Sequence, residues 1–239
     1  RRCHRRLSTV VTMTPEYRII SIGTLAANPL WDEKVPVRTG HATTTLIASG
    51  DARILVDPSL PASALFARMS ERTRVRPDEI THVFLTSLEA ERRRALRELP
   101  DARWLAHEVE RETALADVKA TLAEARDADD DELEALAEQE LDVLQRVEAA
   151  PDSIAPKIDL FPLPGVTAGL CGLLIVLPRE TVLVCGDAIP TFEHLSQGKV
   201  LPGALSIEQA QESFREAVEI ADVFILGRDN ITANPLRRM

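Results

Sequence analysis

Apolar positions along the chain recur with two periods, and the change between them marks its parts. Short runs rich in β-branched residues predict strands over 18–23, 43–49, 52–57, 80–85, 103–107, 158–161, 172–177, 181–185 and 222–226. Gly50 and Asp51 separate the second run from the third, which reads as a hairpin. Helix formers predict helices over 62–73 and 207–221. Ser206 with Gln209 three residues later gives the second of these a capping-box start. The run 80–85 breaks abruptly into polar residues, and 93–99 is again helical in composition.

The stretch 108–150 differs from the rest, because it holds helix formers with no glycine or proline. Leu133, Leu136, Ala137, Leu141, Leu144 and Val147 recur at helical spacing and form one apolar stripe. The acidic cluster 127–132 suits the end of one helix and the capped start of the next. A helical pair packed on a sheet is the expected use, with an oligomerisation surface or a lid as the others. Strands fall in two groups, each followed by helices. That order suits a two-sheet sandwich with helices outside rather than a doubly wound sheet. No Gly/Ser-rich or Pro-rich linker divides residues 1–239, so a single large domain is expected, with 108–150 as a helical insertion.

Composition narrows the function. A net charge of -10 argues against general nucleic-acid binding. No apolar run reaches the length of a membrane span. Cys3, Cys171 and Cys185 lack CxxC spacing and fit free thiols in a reducing, cytoplasmic setting better than disulfides or a zinc cluster. The first dozen residues are basic and without acids, as in a transit peptide. Met13 is a natural start, and residues 1–13 are expected to be disordered. There is no G-x-S-x-G elbow and no phosphate-binding glycine-rich loop.

Candidate chemistry gathers where the 80–85 run ends, since a buried strand that delivers polar side chains at its C-terminal end commonly builds a site. The segment Thr86, Ser87, Leu88, Glu89, Ala90, Glu91, Arg92 resembles the T-H-x-H-x-D-H segment of the metallo-β-lactamase superfamily, with every histidine replaced. Leu163 to Gly169 resembles that family's P-G-H-T-P-G turn, with Val166 in the histidine position. Gly186 and Asp187 resemble its G-D segment, Gly227 to Asp229 its G-H-D segment with Arg228 for the histidine, and Asp57 its early supporting aspartate. Five segments in family order across 54–230 carry the resemblance. It implies an α/β (α+β) fold, the four-layer αβ/βα sandwich, with the site at one edge of the facing sheets. It also implies a hydrolase ancestry in which a hydroxide on zinc or iron attacks an ester or lactone, an amide, a thioester or a phosphoester.

By position, one metal of such a pair would face Ser87, Glu89, Val166 and Asp187, and the other Glu91, Arg92, Asp187 and Arg228. Arginine offers only donors and keeps its charge, and valine has no lone pair, so neither ligates zinc. The expectation is that no metal or other cofactor is held, and that the two guanidinium groups occupy the positive volume, paired with Glu89, Glu91 and Asp187. If a cation is held at all, Glu89 and Asp187 are its candidate ligands. His41 and His194, in loops that border such sites, are candidate ligand contacts, while His82 and His107 read as structural. The resemblance thus implies a non-catalytic binding or regulatory pseudo-hydrolase, taking a small anionic ligand or a homo- or hetero-oligomeric partner. The alternative is a hydrolase with a rebuilt single-metal or metal-free site.

Overall fold

The computed structural model describes residues 14–236, so the expectation for 1–13 lies outside the described residues. Apolar runs without strict alternation form strands covered on both faces. In the first sheet β1 (Glu16–Ser21), β2 (Thr44–Ser49), β3 (Ala52–Val56), β4 (His82–Leu85), β5 (Arg103–Ala106) and β6 (Glu148–Ala149) lie in chain order. The first three are antiparallel and the last four run parallel. The second sheet holds β7 (Ser153–Ala155), β8 (Ile158–Pro162), β9 (Cys171–Val176), β10 (Thr181–Val184), β11 (Val223–Ile225) and β12 (Ile231–Ala233), again in sequence order across the sheet. Only β10 and β11 are parallel there.

The period of two sorts the side chains into three apolar layers. Ile54, Val56, Phe84 and Leu105 point inward and meet Ile175, Val182, Val184 and Ile225 from the second sheet. Their neighbours Leu55, Val83 and Leu85 point outward, against Leu65 and Met69 of α1 (Ala62–Arg72) and against α2 (Glu108–Asp127) and α3 (Asp131–Arg146). On the other side Leu183 and Phe224 pack on Leu195 of α4 (Phe192–Gln197) and Phe214 and Ala217 of α5 (Ile207–Ile220). The result is a four-layer αβ/βα sandwich. Among the described residues no helix is long and apolar enough to cross a membrane.

Several details depart from the sequence expectation. Residues 93–99 form no α-helix; two short 3-10 turns, Ala90–Arg92 and Leu96–Glu98, stand there. The chain is held too close to the sheet to complete helical turns, since Ala95 N donates to Pro58 O and the Arg93 guanidinium donates to Leu88 O. The 108–150 stripe is only partly covered: Ala137 and Leu144 are buried, whereas Leu133 and Leu136 are 38% and 57% exposed. The strand at 222–226 is not the last, because β12 pairs with it. The acidic cluster does cap as its chemistry requires, with Asp130 accepting from Leu133 N at 3.0 Å.

Candidate functional site

The C-terminal ends of parallel strands β3 and β4 face those of β10 and β11, and four loops converge between the sheets. Asp57 leaves β3 with φ +48°, which turns its carboxylate back across the strand end. Its Oδ1 accepts from Thr86 N at 2.9 Å, and its Oδ2 from Thr86 Oγ1 at 2.7 Å. Across the gap, Gly186 takes φ +54° with its α-carbon against Thr86, where a β-carbon would come within 2.9 Å of the threonine side chain. Gly227 lies closer still to the same loop, its virtual β-carbon only 2.2 Å from Gly186 O. The two glycines let the loops bearing Asp187 and Arg228 touch.

Two arginines fill the space thus framed. Arg92 has no exposed surface. Its Nη1 donates to Asp57 Oδ2 at 2.9 Å, its Nε to Glu89 Oε2 at 3.3 Å, and its Nη2 is in ionic contact with Asp187 Oδ2. Arg228, also buried, donates from Nε to Asp187 Oδ1 at 2.9 Å and from Nη2 to Oδ2 at 2.8 Å. Its Nη1 pairs with Glu91, and Nη2 lies 3.5 Å from Glu89. Ser87 Oγ donates to Glu89 Oε2 at 3.3 Å. Burial alone would raise the Asp187 carboxyl, but the charges of Arg92 and Arg228 override it and hold the group well below the usual carboxylate range. Asp57 goes the other way. Burial there outweighs Arg92 and the Thr86 donors, and its pKa is raised.

Seven of the eight candidate residues, Asp57, Ser87, Glu89, Glu91, Arg92, Asp187 and Arg228, therefore share one polar cluster. The eighth, Val166, packs against the apolar layer under α5. Both thiols among the described residues, Cys171 and Cys185, are buried and raised, the former to about 12. The His41 ring sits between the carbonyls of Ile22, 3.0 Å away, and Thr39, 3.3 Å away. His194 is buried, its Nδ1 2.9 Å from Thr191 Oγ1 and its pKa lowered by burial. A cavity of about 210 Å³ opens beside Arg228, with Asn28, Trp31, Arg38 and Thr191 among its walls. Neither histidine is among its lining residues.

Sequence reasoning missed Glu110. It sits in the first turn of α2, is 6% exposed, and accepts from Leu88 N at 3.0 Å, Gly169 N at 3.0 Å and Thr167 Oγ1 at 2.7 Å. One carboxylate thus ties α2 to the loop after β4 and to the 163–169 turn. Nothing local distinguishes it from the neighbouring glutamates. Ser59 was missed too: it accepts from Ala42 N and donates to Glu91 O, both at 2.6 Å.

The residues present do not suit the divalent ions that the fold family implies. Asp187, which would bridge them, is enclosed by two guanidinium groups, and a dication there would meet two fixed positive charges. Among the described residues no group of three or more His, Cys, Asp or Glu is placed to hold a metal.

The sequence pattern of the metallo-beta-lactamase superfamily matches residues 37–224. Among solved structures, a Thermotoga maritima protein assigned as a metallo-beta-lactamase aligns over 92% of this chain and 100% of its own, at 18% identity and TM-score 0.66. AidC, a dizinc quorum-quenching lactonase, covers 74% of this chain and 67% of its own at 15% identity and TM-score 0.58. AiiA of B. thuringiensis, solved as a mutant with N-decanoyl-L-homoserine at its active site, covers 87% and 89% at 17% identity and TM-score 0.58. At these identities the likeness is one of fold. No curated protein matches the sequence.

Proposed function

The chain belongs to the metallo-beta-lactamase superfamily, and from that premise we propose that it is a non-catalytic member, a binding or regulatory pseudo-hydrolase. One observation carries the reading: Asp187, the carboxylate that would bridge two metals, is instead enclosed by Arg228 through two hydrogen bonds and by the fully buried Arg92. Water is activated in this fold by a metal that lowers its pKa. A guanidinium supplies positive charge but accepts no lone pair, so it stabilises the carboxylates without generating hydroxide.

The cluster also bears on what could bind there. Two guanidinium groups face four carboxylates, Asp57, Asp187, Glu89 and Glu91, and each guanidinium nitrogen already lies against at least one of them. A small anion, expected from the arginines alone, would have to displace Glu89 or Glu91, the two partly exposed members.

The second reading is a hydrolase with a rebuilt metal-free site. The cavity beside Arg228 favours it, since a substrate there would lie against Thr191, Glu193 and Asp229. Neighbours in the fold include lactonases, which makes lactones the first substrates to try. Full-length protein is assayed on ester, lactone, thioester and phosphodiester panels, with and without added zinc or iron. No turnover in any arm is expected; turnover that rises with protein and is lost in Arg228→Ala or Glu193→Gln would overturn the proposal.

A further inference from the structure

The acidity of the chain is not spread evenly. Between Glu108 and Arg146 stand fourteen carboxylates and four bases, a net of -10 that equals the charge of the whole chain, so the remainder is balanced. These residues are the two helices α2 and α3 and their connection. Some of the charge is used internally: Arg126 pairs with Glu134 and Glu138, Glu140 with Arg93, and Glu110 is buried. The rest faces outward.

The same face carries an apolar groove of about 380 Å³ between the two helices. Ala114 and Val118 of α2 form one wall, Leu133, Leu136 and Ala137 of α3 the other, with Asp117 at its edge. Leu136, 57% exposed, and Leu133, 38% exposed, are the uncovered members of the helical stripe. Leucines at that spacing on a helix that already packs through Ala137 and Leu144 form a second, outward apolar surface.

Charge selects the occupant. A second copy would bring another strongly acidic face against the first, and like charges facing each other across an interface oppose association. Nucleic acid and anionic lipid are disfavoured by the same sign. A basic, amphipathic polypeptide satisfies both halves of the surface: apolar side chains in the groove, cations on the rim. We propose that the α2–α3 face is a docking groove for a basic amphipathic helix of a partner protein, with Leu133 and Leu136 receiving its apolar side chains. The inference stands on residues apart from the arginine cluster, so it survives or fails independently of the pseudo-hydrolase reading.

The test uses the full chain and a synthetic peptide of about 18 residues, roughly five helical turns, with leucine on one face and lysine on the other. Two controls accompany it: the same leucine face with glutamate for lysine, and the lysine peptide with its order scrambled. The basic amphipathic peptide binds, less tightly as salt rises. Leu136→Ser and Asp117→Lys, both at exposed positions, each weaken it about tenfold or more, roughly 1.4 kcal/mol, at unchanged melting temperature. No binding overturns the proposal. So does equal binding of the scrambled peptide, which would make the face merely charged, and so do variants that bind like the parent chain. A concentration-dependent dimer dispersed by Leu136→Ser would also overturn it, assigning the groove to a second copy.

Discussion

Arg228 closes on Asp187 across 41 residues of sequence through two parallel hydrogen bonds, Nε to Oδ1 at 2.9 Å and Nη2 to Oδ2 at 2.8 Å. The planar fork matches the carboxylate, which fixes orientation as well as charge. Arg92 approaches the same carboxylate from the first sheet, so Asp187, together with the pairs of Arg228 with Glu89 and Glu91, joins the two halves of the sandwich electrostatically.

Removing one partner of a buried pair leaves the other charge without compensation. Arg92→Ala and Arg228→Ala are each expected to lower stability by about 3–5 kcal/mol in chemical denaturation. Against an Asp187→Ala background, Arg228→Ala should cost less by at least about 1 kcal/mol, because the shared interaction is already gone. Additive effects in that cycle would show the pair to be energetically silent.

The two aspartates respond to acid with opposite sign. Asp187 is depressed in the folded chain, so its contribution is complete above the unfolded value of about 3.9 and is lost as pH falls from there through the folded pKa. Asp57 is raised, so the folded state holds its proton to higher pH than the unfolded state, and its contribution weakens as pH rises between the two values. Asp57→Asn should therefore flatten the upper window and leave the steep acid loss, whereas Arg228→Ala, by bringing the folded Asp187 value closer to the unfolded one, should shrink the acid loss that Asp187 causes. Identical stability profiles for parent and Arg228→Ala would contradict this.

Glu110 is a buried acceptor for three donors on two separate loops. Glu110→Ala should destabilise by about 1–3 kcal/mol and speed hydrogen exchange at the amides of Leu88 and Gly169, the two that lose their acceptor. Unchanged exchange at both would remove its role as a tie.

Gly227 has no room for a side chain. A β-carbon there would lie 2.2 Å from Gly186 O and 2.8 Å from Asp187 Oδ1. Gly227→Ala must push the two loops apart, with an expected loss of about 1–3 kcal/mol and weaker coupling in the Arg228–Asp187 cycle. A variant as stable as the parent would show that the loops have slack.

Much of this architecture is legible in the sequence, and the reason is physical. Runs such as Ile54, Leu55, Val56 and Val83, Phe84, Leu85 are apolar on both faces because helices cover one face and the other sheet the second. Their strand ends place Asp57, Thr86 and Asp187 by chain order alone. What could not be read depends on contacts distant in sequence. The 93–99 segment has helical composition, yet hydrogen bonds to Pro58 and Leu88 hold it in short turns. The place of Arg92 beside Glu89 and Asp187 follows from the family order of the segments, but its bond to Asp57, 35 residues away in sequence and 2.9 Å away in space, does not. Leu136 fits a buried stripe but is exposed at the groove between α2 and α3.

If guanidinium groups stand where metal ions would otherwise be bound, the protein has no place for zinc or iron, and its metal content shows whether that is so. Full-length protein, purified without chelator, exposed to excess zinc or iron and then dialysed, is assayed by elemental analysis. Far less than one equivalent of either metal is expected, in parent and Arg228→Ala alike, since Val166 and Arg92 still deny a ligand set. Zinc or iron retained near one or two equivalents per parent chain would contradict it.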